Sequence, residues 1–366
     1  MDRSPDFAPR WVSPPGETIR DVLVERGLSA EAFAASIGVP DFRLEGLLTG
    51  DETISINLAR RISTSIGGSV EFWLTRDGQY RDDLTRVEAD RWAQSLPISQ
   101  MADFGWIDEP TGRQDRVESC LSFFDVPNVP EWRRTYGAML DHAKFRASDK
   151  RQLDENATGA WLREAEREAA KLSCAPWDRV EFARSLPGLR SLTRVSDPKR
   201  FVPSLVASCA SVGVALVVLR APTGCPASGA ARYLASGTPH IALSARYLSD
   251  DHLWFTFFHE AGHLVANDTQ AVYVDEIDQT AGVPLSDEER EADAFATSVL
   301  LPTSIRERLP QRTPSATQLH HLSSEAGVST GILVGQLQNA GVIGFNSRLN
   351  RLKRRYKWSG AILEKA

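Results

Sequence analysis

Two histidines bracket a glutamate in the apolar stretch Phe257-Phe258-His259-Glu260-Ala261-Gly262-His263-Leu264. On a helix, residues four apart lie on one face, one turn apart. His259 and His263 can therefore address one metal ion from the same side. Imidazole nitrogens suit zinc, and a hydrolytic zinc site takes three protein ligands and leaves one position for water. Glu260 is the residue type that can take a proton from that water. The element that must carry them is a helix. Leu253, Trp254, Phe257, Phe258, Leu264 and Val265 give it an apolar face, and no proline interrupts it. Histidine is sparse, 7 in 366 residues. Chance would produce this pattern in on the order of one such chain in a hundred.

A third ligand has to come from a later segment. Asp287-Glu288-Glu289-Arg290-Glu291-Ala292-Asp293-Ala294-Phe295-Ala296 offers it. Ala292, Phe295, Ala296, Val299 and Leu300 recur at helical spacing, which predicts an amphipathic helix ending before Pro302. Glu289 and Asp293 share one face of that helix. A metal-bound histidine usually donates its other N–H to a carboxylate, so Glu289 as ligand and Asp293 behind a histidine would use both acids. Spacing alone leaves Glu288 and Glu291 as competitors. The bland alternative is a solvated acidic helix start.

H-E-A-G-H followed by E-R-E-A-D-A-F-A-T-S-V-L-L-P resembles the ImmA/IrrE family of zinc metallopeptidases. The likeness covers roughly residues 204–302. It implies that the ligand glutamate falls on Glu289 and that Asp293 is the residue behind the site. Asp293 stands where that family often has asparagine, and Val299 replaces a leucine. Neither change touches a ligand.

The composition is that of a globular protein, with 42% hydrophobic and 25% charged residues and a net charge of −6. The whole chain is thus no general polyanion binder. Four scattered cysteines, without C-x-x-C spacing, argue against a cysteine-held zinc and against a disulfide framework. The start lacks a signal-peptide core, and no apolar run is long enough to span a bilayer. The expected location is the cytoplasm, with no membrane partner.

Taken in order, 1–13 reads as a polar tail. Helices follow at 17–26, 30–37, 41–48 and 55–66, with Gly38-Val39-Pro40 as a tight turn. This part resembles the Cro/repressor-type helix-turn-helix, in the HigA-like antitoxin branch. Carrying the likeness are Pro15-Gly16-Glu17-Thr18-Ile19-Arg20, Ala34-Ala35-Ser36-Ile37-Gly38-Val39, Leu47-Leu48-Thr49-Gly50 and Val70-Glu71-Phe72-Trp73-Leu74. The resemblance implies double-stranded DNA as a partner, read by the start of the third helix through Asp41, Phe42 and Arg43. Asp41 and Glu45 are unfavourable toward a polyanion, whereas Arg43, Arg60 and Arg61 suit it. The alternative is a module kept for protein docking or for forming a homodimer.

Residues 81–190 read as a helical middle segment without a chemical motif. Trp92, Trp106, Phe123, Phe124, Trp132 and Trp161 are its expected core anchors, and 155–171 its clearest helix. After a helix at 201–211, strands are expected at 212–219, 229–234 and 240–244. Helix, small sheet, H-E-x-x-H helix and ligand helix resemble the zincin order. That fold implies an edge strand, here 240–246, on which a peptide substrate lies. Helices are expected at 315–326 and 330–339. The basic run 348–357 reads as a solvated amphipathic helix, with nucleic-acid contact as the rarer use.

The expected fold is therefore α+β and mostly α. It comprises a tail (1–13), an all-α helix-turn-helix domain (14–80), a helical middle segment (81–190), a zincin-like metallopeptidase domain with a small sheet (191–305), and a helical C-terminal region with a basic tail (306–366). The expected function is a cytosolic Zn²⁺-dependent endopeptidase. His259, His263 and Glu289 hold the metal and Glu260 is the catalytic base; the resemblance to the ImmA/IrrE family implies a transcriptional repressor or antitoxin as the substrate. Tyr273, His320 and His321 are candidates for stabilising the oxyanion. The alternative is a DNA-binding regulator or antitoxin whose zinc is sensory or structural.

Overall fold

The computed structural model describes residues 12–137, 154–266 and 286–366, and the backbone of 273–275. Residues 1–11 of the expected tail lie outside the described residues. The chain divides into two compact units, one drawn from Met1–Gln94 with Gly112–Val117, the other from Ser95–Thr111 with Glu118–Ala366.

The first unit is all-helical. Helices α1 (Pro15–Glu25), α2 (Ala30–Ile37), α3 (Asp41–Thr49) and α4 (Ile56–Ile66) pack through Ile19, Phe33, Ile37, Leu47, Leu58 and Ile62, all buried. Ser29 and Ser55 cap α2 and α4 by accepting from Ala32 N and Leu58 N. Gly38, at φ 62°, ends α2 in the left-handed conformation that glycine adopts without cost. Next comes α5 (Val70–Ser95), a 26-residue helix that runs on past the expected boundary at 80/81.

The second unit holds the short helix α6 (Ile98–Asp103) and the later part of α7 (Arg113–Phe124). Then come α8 (Val129–Trp132), α9 (Glu155–Ala170), α10 (Arg179–Leu189) and α11 (Pro198–Ala210). All six aromatic anchors expected for this stretch are buried.

A four-stranded sheet follows: β1 (Ala215–Val218), β2 (Gly229–Tyr233), β3 (Pro239–Leu243) and β4 (Tyr273–Asp275), in the order β1-β3-β2-β4. β3 runs parallel to β1, with Leu216 beside Ile241, and antiparallel to β2, with Ala230 beside Ala242. The expectation of an edge strand at 240–246 is thereby corrected. β3 has a partner on each side, and its backbone is spent on them. Among the described residues the outer strands are β1 and β4.

The apolar face of the sheet, including Leu216, Ile241 and Leu243, packs on Trp254, Phe257 and Phe258 of α12 (Asp250–Ala266). That same core takes in Ala296 and Leu300 of α13 (Asp287–Leu300), and Leu319, Leu333 and Leu337 of α15 (Ala316–Ala326) and α16 (Thr330–Asn339). Between them lies the short α14 (Thr303–Arg306). The basic run at 348–357 is not the expected amphipathic helix. It forms a 3-10 turn, Arg348–Leu352, and enters a hairpin of β5 (Tyr356–Ser359) and β6 (Ile362–Lys365). Gly360 turns it at φ 59°.

Candidate metal centre

α12 carries His259, Glu260 and His263 on its buried side, and α13 brings Glu289 to them. The approach of the two helices depends on small side chains. A Cβ added to Gly262 would stand 3.3 Å from Ala292 Cα and 3.1 Å from Phe295 Cδ1. Glu289 occupies the first turn of α13, where its backbone N–H donates to Ser286 Oγ at 3.2 Å. This cap fixes the turn from which its carboxylate reaches the histidines. Glu289 is buried, whereas Glu288 and Glu291 are exposed, which separates the competing acids.

The three donor atoms form a small triangle. His259 Nε2 lies 3.0 Å from His263 Nε2 and 3.1 Å from Glu289 Oε2, and His263 Nε2 lies 3.5 Å from Glu289 Oε2. Tetrahedral zinc with bonds of about 2.0–2.1 Å sets its ligand atoms about 3.3 Å apart. The triangle fits that edge length. Among the described residues, this trio is the group of histidine, cysteine and acid side chains placed to hold one ion.

His259 Nδ1 donates to Asp293 Oδ1 at 2.8 Å. A carboxylate only accepts, so the proton sits on Nδ1 and the lone pair on Nε2 faces the triangle. Glu260 is fully buried next to the ligand histidine. Its carboxylate packs under Gly229, the first residue of β2. A Cβ at Gly229 would collide with Glu260 Oε1 and stand 2.5 Å from Thr256 Cγ2. Gly229 pairs with Asp275 of the outer strand β4, so the backbone of the sheet's edge passes beside Glu260.

Residues 214–337 match the family model Peptidase_M78, the IrrE N-terminal-like domain. The arrangement of His259, Glu260, His263 and the distal Glu289 matches an HExxH-type zinc metalloendopeptidase active site. No curated protein matches the chain. The peptidase-like region thus includes all three donors, Glu260 and Asp293, and extends into α16. No described helix is long and apolar enough to cross a membrane.

The other candidate residues are not part of this trio, and one of them has a side chain outside the described residues. His320 bonds Thr330 Oγ1 at 3.0 Å and His321 sits 3.0 Å from Glu325 Oε1, both on the exposed side of α15. The side chain of Tyr273 lies outside the described residues. In the all-helical unit, Asp41 and Phe42 are exposed at the start of α3, and Arg43 is ion-paired with Glu52. Arg61 donates to the carbonyls of Ile37 and Gly38 at 2.7 and 3.2 Å, closing the end of α2. Sequence reasoning missed Gly229 and Gly262. Gly262 could have been suspected from its place inside H-E-x-x-H opposite an alanine-rich helix. Nothing local marks Gly229.

Proposed function

We propose that the protein is a zinc-dependent endopeptidase with a regulatory protein, a repressor or antitoxin, as its substrate. The observation that carries this reading is the buried His259–His263–Glu289 triangle with Glu260 next to it. Zinc held by His259, His263 and Glu289 would supply Lewis-acid chemistry, activating water and polarising a carbonyl. Glu260 takes the proton of the attacking water and passes it to the leaving amine. Asp293 holds the His259 ring through Nδ1, keeping Nε2 turned to the metal. Gly229 confines the Glu260 carboxylate. A substrate strand adds to β4, an outer strand among the described residues, through main-chain hydrogen bonds beside Glu260.

The N-terminal helices serve this activity by placing the peptidase at its target, either on DNA through the start of α3 or on the substrate protein. The Arg43–Glu52 pair and the exposed Phe42 favour a protein surface. A purely structural zinc would close its shell with a fourth protein ligand and has no use for an acid at 260.

The deciding variant is Glu260→Gln. Glutamine is nearly isosteric, so fold and zinc should be retained. An amide cannot take the water's proton, and loss of a general base costs ~10²–10⁴-fold. Expression profiling of wild type, Glu260→Gln and a deletion, with blotting for the candidate substrate, reads the outcome. A Glu260→Gln strain that matches wild type in both assays would reject the peptidase reading.

A further inference from the structure

Past the carboxyl ends of β1 and β3 the second unit contains a separate cavity of 590 Å³. Its wall comes from the loop after β1 (residues 220–226), the loop after β3 (244–248) and Trp358 of β5. Arg220, Arg246, Thr223 and Ser244 are its polar lining, and no carboxylate lines it. That bias stands out in a chain with a net charge of −6.

Neither arginine has an ion-pair partner among the described residues. Arg220 is exposed, with its guanidinium 5.0 Å from the Phe104 ring centroid. Arg246 lies 5.3 Å from the Tyr247 ring centroid and donates to the carbonyl of Pro226. Asp154 packs behind Gly224 with Oδ2 on that side, while its Oδ1 accepts from the amides of Asn156 and Ala157. Buried Cys225 has its thiol pushed up to about 12 by burial, so it is not a nucleophile here. The loop is held open from outside, since Gln100 bonds both Thr223 N at 2.8 Å and Thr223 Oγ1 at 3.1 Å. Two non-glycine residues beside the cavity, Ala245 (φ 51°) and Leu248 (φ 49°), hold left-handed backbone.

We propose that this cavity binds a small organic anion, a phosphate or carboxylate on a planar body. Arg220 and Arg246 hold the anion, and half-buried Trp358 faces the planar part. Guanidinium forks match both anions, the indole offers a flat apolar wall, and small-molecule sites run to about 300–1,000 Å³. Hydrogen bonds join the cavity wall to the segment that enters β2. Ser244 Oγ donates to Ala227 O at 2.7 Å, and Ser244 N donates to Ser228 O at 2.9 Å. The next residue is Gly229, which confines Glu260. Occupancy of the cavity therefore alters the activity of Glu260, a coupling that rests on the peptidase reading above.

Calorimetric titration of the full chain tests binding without any cleavage. The probes are adenosine 5′-monophosphate, isophthalate, inorganic phosphate and adenosine. One of the two planar anions should saturate, with inorganic phosphate and adenosine at least about tenfold weaker. Arg220→Gln and Arg246→Gln should each weaken that planar anion by about tenfold or more. Exposed Arg220 keeps the test open if Arg246→Gln misfolds. No saturation by either planar anion up to about 10 mM overturns the site, as does wild-type affinity in Arg220→Gln. Inorganic phosphate binding as tightly as the planar anions overturns the role of Trp358. If the saturating anion leaves the cleavage rate unchanged, the coupling falls while the site stands.

Discussion

Helix α12 buries charge-bearing side chains at both of its ends, and the two clusters are opposites. In its first turn Asp250 Oδ2 accepts from Ser329 Oγ at 2.7 Å and Oδ1 from Arg354 N at 2.9 Å. Asp251 Oδ1 accepts from Ser249 Oγ at 2.7 Å, and Oδ2 meets Lys353 Nζ at 2.5 Å. Every carboxylate oxygen there has a donor. Two turns on, the donor atoms of His259, His263 and Glu289 all lie within 4.8 Å of one another. Buried polar groups are expensive unless satisfied. A cluster satisfied by its own protein is architecture. One whose histidine and carboxylate donor atoms converge on a single point has the arrangement that holds a metal ion.

The strongest way to break this contrast is to remove a converging donor. Glu289→Ala should lower zinc affinity by more than ~100-fold, beyond the usual cost of a residue behind a ligand. Glu288→Ala and Glu291→Ala, both at exposed positions, should retain close to one zinc per chain. Elemental analysis of the purified variants checks this. Full zinc in Glu289→Ala would sink the ligand assignment and leave the triangle a coincidence.

At the other end, Lys353→Ala should act on stability and leave metal stoichiometry alone. Lys353 and Asp251 are each only 6% exposed at the side chain. Removing one partner of such a pair strands the other charge, at a cost of about 3–5 kcal/mol. Urea unfolding with zinc present measures it. Adding Asp251→Asn, which removes the stranded charge, should recover part of the loss. A Lys353→Ala protein as stable as wild type would mean that this cluster is not satisfied by its own protein.

Much of the metal centre was legible because its signals are local. Periodicity placed the two helices, and one turn of helix fixes how His259 and His263 relate. The choice of Glu289 over Glu288 and Glu291 was not in the spacing; it came from the family likeness and agrees with burial. What could not be read depends on distant pairing. Pro239-His240-Ile241-Ala242-Leu243 is mostly apolar and buried along its whole length, and such a strand looks alike in the centre of a sheet and at its edge. The run at 348–357 suggested a solvated helix because its charges were counted without their destinations. Lys353 and Arg354 point inward, to Asp251 and to the carbonyls of Thr193 and Arg194. Gly229 matters through a contact with a residue far along the chain, which no local pattern announces.

A smaller effect sharpens the contrast within the metal centre itself. Asp293 touches a ligand and is not one, so Asp293→Ala should keep zinc at ~10–100-fold lower affinity. Competition with a chelator measures this. Unchanged affinity would make the 2.8 Å contact with His259 a surface acid's accident.

The smallest effect concerns a buried acid that belongs to neither extreme. Glu164 on α9 accepts from Arg167 Nη1 at 2.9 Å with a side chain only 7% exposed. Burial outweighs the arginine and pushes its carboxyl from the ordinary 4.5 to about 7. The native state therefore holds this proton more tightly than the unfolded chain does. The stability gained is fully present below the unfolded value of 4.5 and is lost as pH rises through about 7. Glu164→Gln removes the titration and keeps an oxygen for Arg167. Its Tm relative to wild type should be about 2–4 °C more favourable near pH 8 than below pH 4.5. Paired thermal melts across that range read the difference directly, because every other titrating group is common to both proteins. A flat difference would mean that Arg167 satisfies Glu164 as fully as Lys353 satisfies Asp251, and the acid would join the architectural class.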